Sequence, residues 1–340
     1  MKTSQGAELP IDYKRVTIGI PSYNEEENIS NLIKSIIELN KSESWSAKRD
    51  HDPSQRGNIN DNDNNTTRSN GIDSIKDFAI TEIIISDDSS DRTCSIVEGM
   101  AAEYSSVNIK LLHHDIRRGV SAAWNEIFKE AKGDIIVLYD ADIKIDTNTT
   151  ACLVESIRNG IGLCASNIIP LLQEKSTVSR ASGFIAEWLR WVRKNILTQY
   201  TVMGRALSIS SSVAKMISIP EDVIALDLYL QCKVLELGFN VVYNDLALAY
   251  FRPPDNMADF SSQVLRAAIG HNQIRNMQTG LFSRLPLRLG LEAALKSFFH
   301  DPRGAASLIY CYSLLPFYKR KMLGIDSVKW HVARSTKRLA

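Results

Sequence analysis

Short apolar runs alternate with segments of helical periodicity through the first half of this chain. The runs are RVTIGIPSY (15–23), ITEIIISDD (80–88), NIKLLHH (108–114) and DIIVLYD (134–140). Between them, residues 28–40, 91–104 and 121–132 repeat apolar side chains at the three- and four-residue spacing of a helix. This alternation predicts an α/β fold with a largely parallel sheet and helices on both faces.

Acidic residues stand at the ends of two of these predicted strands. Asp87 and Asp88 end the second, and Asp140 and Asp142 follow the fourth. Ligands of parallel sheets bind beyond the carboxyl ends of the strands. Two carboxylates at this edge can hold Mg²⁺ or Mn²⁺ and leave its other faces open to a diphosphate. The alternative for an isolated Asp-x-Asp is a helix cap or a solvated turn.

The charge is distributed unevenly, although the 340 residues carry a formal net charge of only +1. From residue 264 onward there are thirteen Lys or Arg against three Asp or Glu, so the remainder carries about nine net negative charges. The small overall charge argues against a nucleic-acid partner. The basic end favours contact with an anionic membrane surface.

The domain prediction divides the chain at residue 250. Residues 1–250 form the α/β domain, in two halves at 14–145 and 146–250. Residues 251–340 form a basic helical region. The polar segment 41–76 has little to bury and is predicted to be a disordered insertion.

Two features bear on the compartment. Five scattered cysteines and the lack of a signal-peptide pattern at the start favour a reducing, cytoplasmic environment. The uncharged run GAASLIYCYSLLPFY (304–318) is too short to span a bilayer, which takes ~20 residues. It is either a core helix or a helix lying on the cytoplasmic face of a membrane, next to KRK at 319–321.

Three motifs over residues 14–145 resemble the nucleotide-binding half of family 2 inverting glycosyltransferases, which have the GT-A fold. They are IGIPSYNEEENISNLIKSI, EIIISDDSSDRT and RRGVSAAWNEIFKEAKGDIIVLYDAD. The resemblance implies a nucleotide-diphosphate sugar as donor and a Mg²⁺ or Mn²⁺ ion that bridges its phosphates.

The resemblance makes residues 14–145 the nucleotide-sugar-binding half and residues 146–250 the acceptor half, and it also assigns site residues. Pro21, Tyr23 and Glu25 would line the nucleoside pocket, Asp87 and Asp88 would lie near the base, Arg118 and Gly119 would close over it, and Asp140 and Asp142 would form the donor and metal site. Gly204 falls where relatives place a small residue near the sugar. Gln263 and Arg266 match a Gln-x-x-Arg-Trp element, with Ala267 in place of Trp.

An inverting transfer needs a carboxylate to take the proton of the acceptor hydroxyl. In relatives this base belongs to a Glu-Asp pair at a helix start, a fixed distance before a glycine such as Gly238. The matching residue is Asp227, preceded by Leu226 instead of Glu, and Asp222 in a true Glu-Asp pair is the alternative. Either aspartate also fits a plain helix-terminal role.

The acceptor and two rival functions stay open at this point. A polyprenyl phosphate or a lipid-linked glycan is preferred to a soluble acceptor because the final third is basic. A haloacid-dehalogenase-type phosphatase also uses Asp-x-Asp, but there the pair follows the first strand, not the fourth. A GT-A domain that binds nucleotide sugar without turnover would share every donor-side motif.

Overall fold

The computed structural model describes residues 14–41, 78–173, 176–195, 204–275, 287–322 and 336–337. The predicted insertion at 41–76 lies outside these ranges, apart from Lys41 at the end of the first helix.

Eight strands and ten helices are present in the described residues. The strands are β1 Lys14–Ser22, β2 Phe78–Asp87, β3 Ile109–His113, β4 Ile135–Tyr139, β5 Ile143–Ile145, β6 Ile161–Pro170, β7 Ala206–Ser210 and β8 Asn240–Phe251. The helices are α1 Ile29–Lys41, α2 Thr93–Glu103, α3 Val120–Glu130, α4 Thr149–Ser156, α5 Thr177–Asn195, α6 Ser211–Ala214, α7 Leu226–Glu236, α8 Met257–Arg275, α9 Leu287–His300 and α10 Pro302–Met322.

All eight strands form one sheet in the order β3-β2-β1-β4-β7-β6-β8-β5. The four strands predicted from the sequence are parallel neighbours at one side of it. The other half is mixed, because β7 runs antiparallel to both β4 and β6, and β5 runs antiparallel to β8. The sheet is therefore less uniformly parallel than the strand–helix rhythm predicted.

The antiparallel pairing of β4 with β7 positions the candidate site. Tyr139, the last residue of β4, pairs with Ala206, the first residue of β7. The backbone N–H of Asp140 then donates to the carbonyl of Arg205 over 2.8 Å. Residues that follow β4 and residues that precede β7 consequently meet at one edge of the sheet.

Two hydrophobic cores lie on opposite faces of the sheet. Because side chains alternate along a strand, Val137 of β4 enters the core beneath α1 and α2, whereas Ile136 and Leu138 enter the core beneath α3 and α7. On α5, Phe184 and Val192 are buried as well, with exposures of 8% and 0%. Helices on both faces are thus confirmed.

The helices after residue 256 leave much apolar surface exposed. On α10, Ile309, Tyr310 and Phe317 are 66%, 57% and 68% exposed, while Cys311 is fully buried. The run at 304–318 is therefore helical, and one of its sides packs into a small hydrophobic core around Cys311 while the other side is exposed. Within the described residues, no helix combines the length and apolar character needed to cross a membrane.

Candidate functional site

A cavity of about 530 Å³ opens where β1 and β4 end, between the sheet and the first turns of α7 and the middle of α8. Ten of the residues predicted from the sequence line it. They are Pro21, Tyr23, Glu25, Asp88, Gly119, Asp140, Asp142, Gly204, Asp227 and Arg266. Three others, Asp87, Arg118 and Asp222, are not among the lining residues.

Asp140 and Asp142 follow β4 directly and face the cavity with a basic neighbour. Nη1 of Arg205 lies 3.2 Å from Oδ1 of Asp142 and 3.9 Å from Oδ2 of Asp140. The guanidinium also lies 4.5 Å from the centre of the Phe251 ring, which limits its movement. One cation thus already sits beside the pair.

Even so, this corner of the cavity is short of positive charge. Burial raises the pKa of Asp140 to about 7, and repulsion from Asp142 adds to the rise despite Arg205. Burial likewise raises the pKa of Glu25 to about 7, with a further contribution from Asp142. Carboxylates that resist ionisation together favour a bound cation at the point where they converge.

The loop after β1 forms a second wall of the cavity. Pro21 and Tyr23 line it, and the guanidinium of Arg117 lies 4.1 Å from the centre of the Tyr23 ring. Beside this wall, the N–H of Asp88 donates to the carbonyl of Ser22 at 3.1 Å, and Oδ2 of Asp88 accepts the N–H of Arg118 at 2.7 Å and that of Gly119 at 3.0 Å. Gly119 has φ of 96°, a conformation that favours glycine, and it immediately precedes α3.

Two residues that were predicted to lie at the donor pocket, Asp87 and Arg118, are instead behind this wall. The carboxylate of Asp87 is fully buried and bonds to the hydroxyl of Ser89 and to Nδ1 of His113, the latter at 2.8 Å. The Arg118 guanidinium turns away and lies 3.0 Å from Oε2 of Glu126. Its neighbour Arg117 is the arginine that faces Tyr23. Asp87 and Arg118 therefore lie behind the lining of the pocket and support it.

Asp227 occupies the first turn of α7 and its carboxylate is fixed by two backbone donors. The N–H of Gly204 donates to Oδ2 at 3.1 Å, and the N–H of Leu228 donates to Oδ1 at 3.0 Å. Asp222, in contrast, is exposed, and its backbone carbonyl accepts from the Gln273 side chain at 2.8 Å. Of the two candidate bases, only Asp227 lies at the cavity.

Arg266 projects from α8 into the same space. Burial lowers its pKa to about 9, although the charges of Asp227 and Asp140 oppose the shift. The side chain is therefore a cation near neutral pH, within electrostatic range of both carboxylates. His271 also lines the cavity, and its Nδ1 lies 2.8 Å from the carbonyl of Ala267, one turn before it.

Among the lining residues that the sequence analysis gave no role are Arg117, Trp124 and Lys337. Arg117 adjoins the predicted Arg118, so adjacency was a usable signal. Trp124 fits the three- and four-residue spacing of the buried face of α3, so the sequence pattern does not distinguish it from a core residue. Lys337 is one of many basic residues near the end of the sequence, and only the three-dimensional structure singles it out.

The donor set at Asp140 and Asp142 fits a hard divalent cation. Mg²⁺ and Mn²⁺ take oxygen ligands, and Mg²⁺ is often held by one or two carboxylates with substrate phosphates completing the shell. Among the residues that the structure describes, no third His, Cys, Asp or Glu joins the pair as a closed metal cage. That open geometry suits an ion that arrives together with a diphosphate.

Residues 70–212 match the family model described as "Glycosyl transferase family 2". The dolichol-phosphate mannosyltransferase of Pyrococcus furiosus is 26% identical over 146 residues, which are 43% of this chain and 31% of that protein. The probable glycosyltransferase YdaM of Bacillus subtilis is 22% identical over 275 residues, 78% of this chain and 56% of that protein. The chain thus spans less than two thirds of either relative.

Among solved structures, the mannosyltransferase PcManGT from Pyrobaculum calidifontis, in complex with GDP-Man and Mn²⁺, superposes with a TM-score of 0.55. The two are 18% identical, and the match covers 97% of this chain and 86% of that one. At this identity the likeness speaks for the fold alone. The resemblance to family 2 glycosyltransferases is thereby confirmed: residues 70–212 carry the family's match, and the fold around them is GT-A.

Proposed function

We propose that this protein is a metal-dependent, inverting glycosyltransferase that moves a sugar from a nucleotide-diphosphate sugar to an acceptor hydroxyl or phosphate oxygen. The observation that carries the proposal is the meeting of three features in one cavity. A carboxylate pair that fits a dication (Asp140 and Asp142), a carboxylate held by two backbone donors (Asp227) and a cation (Arg266) all line it.

The nucleoside would bind along the wall after β1. Pro21 fixes the end of the strand, and the Tyr23 ring with its Arg117 partner offers a flat surface for the base. Asp88 holds the Arg118–Gly119 turn beside that surface, and Glu25 can accept from a ribose hydroxyl. Asp87 would fix the chain on either side of Asp88, because its carboxylate bonds to Ser89 and to His113.

Asp140 and Asp142 would hold Mg²⁺ or Mn²⁺, which when bound supplies positive charge to the departing diphosphate. Arg205 stays beside the pair, since its guanidinium is held by Phe251 and by Asp142. In this arrangement Asp140 must lose its proton before it can act as a ligand, and its raised pKa makes this the pH-sensitive requirement of the site.

Asp227 would act as the general base. The acceptor oxygen forms a bond to the anomeric carbon while the bond from that carbon to the diphosphate oxygen breaks, and an acceptor hydroxyl gives its proton to Asp227. The donors Gly204 N–H and Leu228 N–H hold this carboxylate in a fixed position at the cavity. A single displacement of this kind inverts the configuration at the anomeric carbon.

For an acceptor we propose a lipid-linked molecule, a polyprenyl phosphate or a lipid-linked glycan, presented at the cytoplasmic face of an anionic membrane. On α9, Leu287, Leu291, Leu295 and Phe299 recur at four-residue spacing and are each at least 56% exposed. Arg288, Lys296 and Arg303 are exposed beside them. An apolar stripe flanked by cations is the pattern of a helix that lies in a membrane interface.

The relatives are compatible with that acceptor class. One is named a dolichol-phosphate mannosyltransferase, and dolichol phosphate is a lipid phosphate. Arg266 in the cavity supplies charge that an acceptor phosphate requires. A soluble glycan acceptor would give the exposed α9 surface no use.

The test is a two-stage assay on the full chain. Nucleotide sugars, beginning with GDP-mannose and UDP-N-acetylglucosamine, are first screened for Mn²⁺-dependent thermal stabilisation, because a ligand that binds the native state raises Tm by mass action. The stabilising donor is then incubated with polyprenyl phosphate in vesicles and the product is analysed by mass spectrometry. Stabilisation without transfer to any acceptor would indicate a nucleotide-sugar-binding protein and refute the enzymatic proposal.

A further inference from the structure

Lys337 contacts the loop after β1, which forms the proposed nucleoside wall of the cavity. It lies 314 residues after Tyr23 in the sequence. Its ammonium donates to the carbonyls of Tyr23 and Asn24, both at 2.6 Å, and lies 2.7 Å from Oε1 of Glu25. An ammonium group has three N–H donors, so this arrangement satisfies all of them. The carbonyl of Lys337 in turn accepts from Nδ2 of Asn28 at 2.5 Å.

The loop that Lys337 contacts has an unusual backbone. Asn24 has φ of 54°, and among the described residues it is the one non-glycine residue with positive φ. The turn directs the carbonyl oxygens of two successive residues toward a single cation, an arrangement that brings two dipoles of the same sign together. A positive charge at Lys337 stabilises this conformation. Without it, the loop would pay for the positive φ of Asn24 and for the repulsion between the two carbonyl dipoles.

The other side of the loop is held by the segment after β2. The N–H of Asn24 donates to Oγ of Ser89 at 2.7 Å, and Oδ1 of Asn24 accepts from the N–H of Ser90 at 2.9 Å. Lys337 and the two serines thus hold Asn24 through separate hydrogen bonds. The serines offer no cation to the Glu25 carboxylate, and within the described part of the chain Lys337 is the residue whose cation contacts it.

Glu25 needs that cation for a reason of its own. Its side chain is only 10% exposed, and the negative charge of Asp142 acts on it. A buried carboxylate without a counter-charge is costly and turns toward water where it can. Neutralised by Lys337, it can stay at the cavity, where Tyr23 and Arg117 form the adjoining surface.

We propose that Lys337 is a positioning residue of the donor pocket, which holds the Tyr23–Glu25 loop in the conformation that receives the nucleoside. The inference rests on the proposed function, in which this loop is the nucleoside wall. It assigns no contact between Lys337 and the donor, since the ammonium is already saturated by the protein.

The experiment compares full-length wild type with Lys337→Met and with the control Lys215→Met, an exposed lysine remote from the cavity. GDP and UDP are titrated with Mn²⁺ present by calorimetry, and hydrogen exchange of residues 22–28 is followed without nucleotide. We expect Lys337→Met to weaken nucleotide binding by about tenfold and to speed exchange in 22–28, with the control unchanged. In a Glu25→Gln background the same change should weaken binding less, because the two charges are coupled.

The outcomes separate the two ideas. Wild type that binds neither nucleotide refutes the proposed function, while the exchange measurement still decides whether Lys337 holds the loop. Wild type that binds, with Lys337→Met binding equally well, overturns the positioning role alone. Tighter binding by the variant would show that Lys337 blocks the pocket, and faster exchange throughout the chain would show a general structural role; either result overturns the inference.

Discussion

The backbone N–H of Gly204 donates to Oδ2 of Asp227 over 3.1 Å and links the segment before β7 to the first turn of α7. A β-carbon placed on Gly204 would lie 3.1 Å from Cβ of Asp227 and 3.4 Å from the Trp124 ring. Glycine thus permits the close approach that makes the hydrogen bond. The same approach aligns the proposed base with the residues that follow β4.

Gly204→Ala tests this relationship. The added methyl group is expected to push Asp227 away by a few tenths of an ångström, and kcat should fall by about 10- to 100-fold with little change in Tm. The matched control is Gly99→Ala in α2, where a β-carbon meets nothing within 4 Å. That change should leave kcat unaltered, and it should stabilise the helix by about 0.5–1 kcal/mol. Equal activity of both variants would contradict the proposed contact.

Asp227→Asn and Asp222→Asn distinguish the two candidate bases. The first substitution is nearly isosteric and keeps an oxygen for the Gly204 N–H, but its amide cannot take a proton. We expect turnover to fall by about 10²- to 10⁴-fold, while the affinity for donor and Mn²⁺ stays close to that of wild type. Asp222→Asn should behave like wild type because Asp222 is exposed and does not line the cavity. The reverse pattern, measured by steady-state kinetics and donor titration, would move the base to Asp222.

Asp140→Asn should raise the stability of the metal-free protein and lower its transfer activity. The pKa of Asp140 rises from 3.8 to about 7 in the native protein, so the native state holds more protons than the unfolded state between these values. The contribution of this group to the free energy of unfolding therefore falls as pH rises through that window. Without metal, Asp140→Asn should raise Tm above that of wild type at about pH 8 and much less at about pH 5.

Mn²⁺ should reverse that order. It should raise the Tm of wild type at about pH 8 and that of the variant far less, while transfer by the variant drops by orders of magnitude. Thermal unfolding in EDTA and in Mn²⁺ at both pH values provides the measurement. A variant that is stabilised by Mn²⁺ as strongly as wild type would remove Asp140 from the metal site.

The sequence predicted the nucleotide half of the fold well for a physical reason. Each β–α unit there buries its own apolar run, so periodicity alone marks the strands and helices, and the acids that follow β4 stand out against an apolar strand. The antiparallel strand β7 was not predicted because its direction depends on pairing with β4 and β6, which are distant in sequence. The expectation of a largely parallel sheet is confirmed, and the antiparallel pairs of β7 and β5 are the exceptions to it.

Local motifs also singled out Asp140, Asp142 and Asp227, which line the cavity, and their roles stay predictions. Arg118 illustrates the limit of such motifs. Adjacent arginines look equivalent in sequence, but the positive φ of Gly119 and the Asp88 bonds turn Arg118 outward to Glu126 and leave Arg117 at the pocket. Lys337 could not be found at all, since its partners are fixed by tertiary structure.

The exposed face of α9 makes a final prediction about membranes. Full-length protein should co-sediment with vesicles that contain anionic lipid and should bind neutral vesicles weakly, because each Lys or Arg near an anionic surface contributes about 1 kcal/mol. The double substitution Leu295→Asp with Phe299→Asp places two carboxylates on the surface that would enter the interface, at side chains that are 60% and 79% exposed. It should abolish vesicle binding while donor-dependent stabilisation stays intact. The control is Met216→Asp, at a side chain 54% exposed in the segment after α6. If the double variant still sediments with the vesicles, or if wild type never does, the proposed membrane face is wrong and a soluble acceptor becomes the better explanation.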